Sequence, residues 1–291
     1  MCNKKSGKDK NMSFDFFKKI ADEFFSSVEF VDLRGFGEST LLPNFLDYVK
    51  YALRFNSKFG LISNLTVRNN EMFEYLVKNN FWIGISIDGP NEEVYSKIRG
   101  KGFFNQVIEN IKLLVDFCKK YKKSVDNLYF LVVVQKDNVE YLNEFIDLAV
   151  ELGIKRIEFK PVKTLNKGVW LKDDVETVKK NIKKAIKIGK LNEIEVKLTG
   201  WFFNTKFETS LGYKIMKKCD RPWTHLMVYY NGKVGPCNHR IDFTFGDLNK
   251  NSFKDIWNNE KFHLFREKMN KIELDDKCKS CYEEYYDNEW S

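Results

Sequence analysis

Between residues 13 and 198 the apolar pattern switches repeatedly from a helical period to a strand period, and this alternation restricts the fold most. Helix-like segments run over 14–25, 46–55, 71–78, 104–121, 141–152 and 175–188. Strand-like runs fall between them at 28–33, 60–63, 82–87, 128–134, 155–161 and 194–198. Strands that alternate with helices form a parallel sheet, because each crossover needs a helix to return the chain. The expected class is α/β, closed or partly closed into a barrel. In the run from Trp82 to Asp88, isoleucines 83, 85 and 87 point one way and Gly84, Ser86 and Asp88 the other. Small and polar residues on the inner face suit a lumen that admits a polar ligand, whereas a filled barrel would carry branched side chains there. Chemistry on such a fold belongs at the C-terminal ends of the strands.

At 291 residues the chain accommodates one barrel-like domain and a small appendage. It has no apolar run long enough for a membrane-spanning helix, and its start is polar with no apolar signal core, so the expected location is cytoplasmic. In that compartment paired cysteines serve as metal ligands or catalysts more often than as disulfides. The net charge is +8, with lysines and acids interspersed. The densest basic stretch, Lys179 to Lys190, reads as the solvated face of a helix, and nucleic acid is not an expected partner.

Two groups of residues carry chemistry. The first is Leu33-Arg-Gly-Phe-Gly-Glu38, at the end of the first visible strand. Gly35 and Gly37 leave the backbone bare for close approach of a ligand, and Glu38 supplies an acceptor for an amine or hydroxyl. Ser86, before the Asp88-Gly89-Pro90 turn, offers a hydroxyl at the end of a later strand. The second group is Cys219, Cys237, Cys278 and Cys281. Asn231-Gly232 lies between two short strand-like runs, the signature of a hairpin with a type I′ turn, which brings Cys219 and Cys237 toward one point. Four thiolates suit a [4Fe–4S] cluster or a structural zinc. Cys118 lies on the apolar face of a helix and reads as a buried structural cysteine, and Trp223, Trp257 and Trp290 as packing for the C-terminal region.

These blocks together resemble radical S-adenosylmethionine (radical SAM) enzymes with a C-terminal SPASM/Twitch cluster domain. The similar stretches are Gly35-Phe-Gly-Glu-Ser-Thr-Leu-Leu42, then Ile85-Ser-Ile-Asp-Gly-Pro90 with Lys97-Ile-Arg-Gly100 and Val107 to Lys112. A third runs from Cys219-Asp-Arg-Pro-Trp223 through Gly232 to Cys237, Phe245 to Leu248, Ile256 to Asn258 and Arg266, ending at Cys278 and Cys281. The resemblance implies a partial (β/α)6 TIM-like barrel over 1–198, a linker over 199–218 and an auxiliary-cluster domain with a β-hairpin and helix over 219–291. It implies S-adenosylmethionine on Gly35, Gly37, Glu38 and Ser86, and an auxiliary [4Fe–4S] cluster on the four C-terminal cysteines. The spacing resembles the shorter Twitch form.

The family's C-x3-C-x2-C motif, which holds the cluster that reduces S-adenosylmethionine, is absent apart from Cys2. By position Cys2 corresponds to the third cysteine, so the expectation is an N-terminally truncated reading that lacks the first barrel strand, on the order of 15–20 residues. The implied activity is oxidoreductase-type: a 5′-deoxyadenosyl radical abstracts hydrogen from a small-molecule or peptide substrate, and the auxiliary cluster accepts an electron. Dehydrogenase and maturase chemistry are both implied, with a reductant such as flavodoxin or ferredoxin. The alternatives are a degenerate relative without catalysis and a zinc-binding module that is not an enzyme.

Overall fold

A computed structural model describes residues 11–162, 175–199, 219–237, 243–271 and 273–279. Contacts divide it into two compact units: Glu29–Phe202, and Met1–Val28 together with Phe203–Ser291.

The unit from Glu29 is a six-stranded parallel sheet: β1 (Phe30–Asp32), β2 (Lys58–Ser63), β3 (Trp82–Ser86), β4 (Leu128–Val134), β5 (Arg156–Pro161) and β6 (Glu195–Leu198). The strands pair in sequence order, β1 to β6. Every crossover therefore steps in one direction, which is the topology of a barrel wall; a doubly wound sheet would reverse its order at a switch point. β1 and β6 are not paired, so the barrel is partial. The connections carry α2 (Phe45–Ala52), α3 (Asn70–Lys78), α4 (Glu92–Arg99), α5 (Phe104–Lys120), α6 (Leu142–Leu152) and α7 (Val175–Leu191).

The two faces of the sheet divide as the alternation requires. Leu61, Ile83, Ile85, Phe130, Val132, Ile157 and Phe159 are buried. Apolar residues of the helices, Leu76, Val107, Ile111, Leu114, Phe145 and Ala149 among them, are buried as well and complete this core. The other face of the same strands, with Trp82, Ser86, Tyr129, Leu131, Arg156 and Glu158, is only half-buried. Cys118 is buried in the α5 core, where burial pushes its thiol pKa up. At the end of β3, a Cβ added to Gly89 would lie 2.1 Å from the Tyr95 backbone nitrogen. Only glycine lets α4 return so close to the strand, and that return aims α4 at the strand ends.

The second unit contains α1 (Phe14–Phe24) and a three-stranded antiparallel sheet, β7 (Met227–Val228), β8 (Lys233–Gly235) and β9 (Gly246–Asp247). Beside it lie α8 (Arg221–Thr224), α9 (Phe253–Trp257) and α10 (Glu260–Lys271). The packing thus groups α1 with the C-terminal elements, whereas the motif-based division placed all of 1–198 together. Lys19 Nζ donates to the Leu248 carbonyl at 2.8 Å, and the rings of Phe24 and Phe253 stack at 5.0 Å.

The β7–β8 hairpin forms as expected, but its turn is different. The Gly232 N–H donates to the Tyr229 carbonyl and the Tyr229 N–H to the Lys233 carbonyl, both at 2.9 Å. Gly232 alone takes positive φ, at 84°, and Asn231 does not. This is a three-residue loop with a glycine bulge, not a two-residue type I′ turn. Trp257 packs against Phe253 and Phe262, while Trp223 is 37% exposed. Trp290 lies outside the described residues.

Candidate functional site

The carboxylate of Glu38 joins the ends of β1 and β2. Its Oε1 accepts from the Thr40 N–H at 3.2 Å, the Thr40 hydroxyl at 2.7 Å and the Ser63 hydroxyl at 2.9 Å. Its Oε2 accepts from the Asn64 N–H at 2.7 Å. A carboxylate offers about four lone-pair positions, two on each oxygen. Oε1 is saturated, and Oε2 keeps room for one further donor. Glu38 is therefore not a solvated turn residue; the protein holds it rigidly with one acceptor position to spare. Gly35 and Gly37 precede it and are exposed. Among the described residues, a Cβ on Gly37 would meet no atom within 4 Å, and one on Gly35 only the Gly37 nitrogen at 3.9 Å, so the backbone there is open to close approach.

Ser86 ends β3. Ser63 pairs in register with Ile85, which makes Asn64 the lateral neighbour of Ser86 and sets the Glu38 carboxylate beside that strand end. The Ser86 hydroxyl accepts from Arg99 Nη2 at 2.5 Å, and Arg99 Nε donates to Asp88 Oδ2 at 2.6 Å. Asp88 is fully buried, and its Oδ1 accepts from the Val133 N–H at 2.8 Å. Asn138 Nδ2 in turn donates to the Asp88 carbonyl at 2.9 Å. A buried carboxylate with these partners orients the guanidinium, and two of the five guanidinium N–H donors are used by Asp88 and Ser86. The strand ends thus present one acceptor, on Glu38, and one cation, on Arg99. An ammonium and a carboxylate on one small molecule would match that pair.

Sequence reasoning singled out Glu38, Ser86 and the glycines, which lie at or just after the ends of β1 and β3, and did not single out Arg99. The signal was the Lys97-Ile-Arg-Gly100 block, whose arginine lies on α4 eleven residues from the aspartate it pairs with.

In the other unit the hairpin brings Cys219 and Cys237 close enough that the charge of Cys237 acts on Cys219. Burial pushes the Cys219 thiol up, the Arg221 N–H directed at its sulfur opposes this, and Cys237 adds to the rise. Cys278 is half-buried, with its N–H donating to Asp275 Oδ1 at 3.0 Å. Among the described residues no three His, Cys, Asp or Glu side chains converge as a metal group. Cys281 and Cys2 lie outside the described residues. Two neighbouring thiols on a hairpin suit a thiolate-bound metal or cluster by donor chemistry. Arg266 braces this region: its Nε donates to the Pro222 carbonyl at 2.9 Å and its Nη1 to the Trp257 carbonyl at 2.8 Å.

The model of the radical SAM superfamily matches residues 1–149, just over half of the chain. This is a radical SAM protein. An iron–sulfur cluster-binding domain model, SPASM, matches residues 219–282, a span that opens on Cys219 and includes the other three C-terminal cysteines. An iron–sulfur centre is therefore favoured over the zinc module. S-adenosylmethionine and iron–sulfur clusters are the cofactors of this family.

Curated relatives of this radical SAM protein include the antilisterial bacteriocin subtilosin biosynthesis protein AlbA of Bacillus subtilis. It is 26% identical over 257 residues, covering 87% of this chain and 54% of that protein. The chain thus spans about half the length of that relative. The tungsten-containing aldehyde ferredoxin oxidoreductase cofactor-modifying protein of Pyrococcus furiosus is 23% identical, covering 91% of this chain and 78% of its own. Native anSMEcpe with bound AdoMet has the same fold, with a TM-score of 0.71 at 20% identity, covering 97% of this chain and 82% of that one. Streptococcus suis SuiB bound to the precursor peptide SuiA gives 0.71 at 16% identity, covering 97% and 65%. No helix among the described residues is long and apolar enough to cross a membrane.

Proposed function

We propose that this protein is a peptide-modifying radical SAM enzyme of maturase type, with S-adenosylmethionine held at the ends of β1, β2 and β3. The observation that carries the reading is the Glu38 carboxylate, fixed by donors on both oxygens yet with one acceptor position left on Oε2. That oxygen accepts from the methionyl ammonium. Arg99, oriented by Asp88 and bonded to Ser86, meets the methionyl carboxylate. Gly35 and Gly37 let the backbone approach the same group. Bound there with an iron–sulfur cluster, the cofactor supplies radical chemistry for hydrogen abstraction. Cys219, Cys237, Cys278 and Cys281 would hold an auxiliary [4Fe–4S] cluster, which would supply an electron acceptor, and Cys2 would be a ligand of the cofactor-binding cluster. A small flavodoxin or ferredoxin is the reductant. The choice of a peptide over a small metabolite follows relatives named as a bacteriocin biosynthesis protein, sulfatase-maturating enzymes and a mycofactocin maturase.

The test is anaerobic equilibrium binding of S-adenosylmethionine to the chain reconstituted with iron and sulfide. Glu38→Gln is expected to weaken binding by about 10- to 100-fold, the worth of one hydrogen bond to a charged group. Equal affinity of the wild type and the variant would remove Glu38 from the site.

A further inference from the structure

The inner face of the sheet carries a cation with a donor left unbonded among the described residues. Arg156 opens β5, and its guanidinium lies 4.2 Å from the Tyr129 ring centroid and 5.0 Å from that of Trp82. Its Nε is buried with no hydrogen-bond partner. Two of the neighbouring acids are committed elsewhere: Asp32 pairs with Arg34 at 2.7 Å, and Glu195, in register with Arg156, pairs with Lys197 at 3.3 Å, which leaves Glu158 as the acid beside it on β5. A buried donor left without an acceptor costs free energy, about 1–3 kcal/mol for a neutral group and more for a charged one. Stacking between two rings holds the planar cation in place but satisfies none of its N–H groups.

We infer that Arg156, clamped between Trp82 and Tyr129, is the subsite for an acidic side chain of a bound peptide. The planar guanidinium is matched to a carboxylate, which it can take through two parallel bonds. Glu158 follows on the same face of β5, about 7 Å along the strand. Its charge is felt at the same place, since it raises the Tyr129 hydroxyl pKa while Arg156 lowers it; burial is the largest cause of that shift. A ligand carboxylate on Arg156 must therefore present a donor toward Glu158. A glutamate or aspartate residue does so with its own backbone N–H, whereas inorganic phosphate brings more negative charge against Glu158 and no amide N–H. Register places Glu158 level with Leu131 and Ser86, so the subsite lies one layer beneath the strand ends that carry Glu38 and Arg99. A residue anchored there would leave its neighbours within reach of the chemistry above. This rests on the peptide reading, but its test needs neither iron nor S-adenosylmethionine.

The full chain is titrated calorimetrically with N-acetylglutamate amide, N-acetylglutamine amide and inorganic phosphate. The glutamate probe is expected to bind at least about tenfold more tightly than the glutamine probe, as a charge-assisted pair requires. It should also bind more tightly than phosphate. Arg156→Gln should erase the preference and Arg156→Lys should keep part of it. Equal binding of the two amides, binding of neither, or an unchanged preference in Arg156→Gln overturns the proposal. If Arg156→Gln melts below the working temperature, Glu158→Gln decides: phosphate affinity must rise, and an unchanged value also overturns the proposal. None of these outcomes touches the binding of S-adenosylmethionine at Glu38, so the two readings fail separately.

Discussion

Arg99 joins a structural contact, to Asp88, with the contact proposed for S-adenosylmethionine. Asp88 is fully buried beneath it, and an unpaired buried charge is far more costly than the pair is favourable. Arg99→Gln is therefore expected to destabilise the barrel unit by about 3–5 kcal/mol in urea denaturation, the usual cost of breaking a buried pair from one side. Arg99→Lys should recover only part of this, because an ammonium cannot reach Asp88 and Ser86 together as a fork. A loss below about 1 kcal/mol in the Gln variant would mean that the Val133 N–H alone satisfies Asp88. At this scale Glu38 could be singled out because a Gly-x-Gly-Glu turn comes shortly after a strand. Arg99 was not, because α4 is eight residues long and buries only Val94 and Tyr95, too few positions to show a period.

Between elements, α3 and α5 are tied by polar contacts around one ring. The Tyr121 hydroxyl donates to Glu74, Lys120 Nζ lies 3.2 Å from the same carboxylate, and Lys78 and Lys120 both sit over the Tyr121 ring. The Glu74 carboxyl is held down at about 2, chiefly by the Tyr121 hydroxyl and then by the Lys120 ammonium. A depressed acid stabilises the fold fully above its ordinary value of about 4.3, and the contribution is lost as pH falls toward the folded value. The melting-temperature gap between wild type and Glu74→Gln should accordingly be present at pH 7 and shrink steadily between pH 4 and 2. A gap constant over that range would show that the charge contributes nothing. The helices themselves were readable from their apolar periods, and Ser13 caps α1 by accepting from the Phe16 N–H at 3.3 Å. The hairpin was readable too, but its turn type was not. Both turn types accept Asn-Gly, and the choice depends on Tyr229–Lys233 pairing, a contact with no mark in the local sequence.

Over the whole molecule, the grouping of α1 with the C-terminal elements is the feature least visible in the sequence. Its helical pattern says only that one face is buried, not against what. Phe24 is 7% exposed and stacks on Phe253, so Phe24→Ala should cost the C-terminal unit about 3–5 kcal/mol. Tryptophan fluorescence would follow this as an earlier unfolding transition, since Trp223 and Trp257 both lie in that unit. A transition at the wild-type denaturant concentration would show that α1 contributes nothing to it.

That grouping also has a consequence for synthesis. α1 leaves the ribosome well before its partners Leu248 and Phe253, which follow some 229 residues later. At about 5–20 residues per second, α1 waits many seconds with its apolar face uncovered. The sheet from Glu29 to Phe202 has all its strands by then and can fold while the chain is still being made. The unit that contains Cys219 and Cys237 can pack only after Phe253 has emerged, and so it forms later than the sheet.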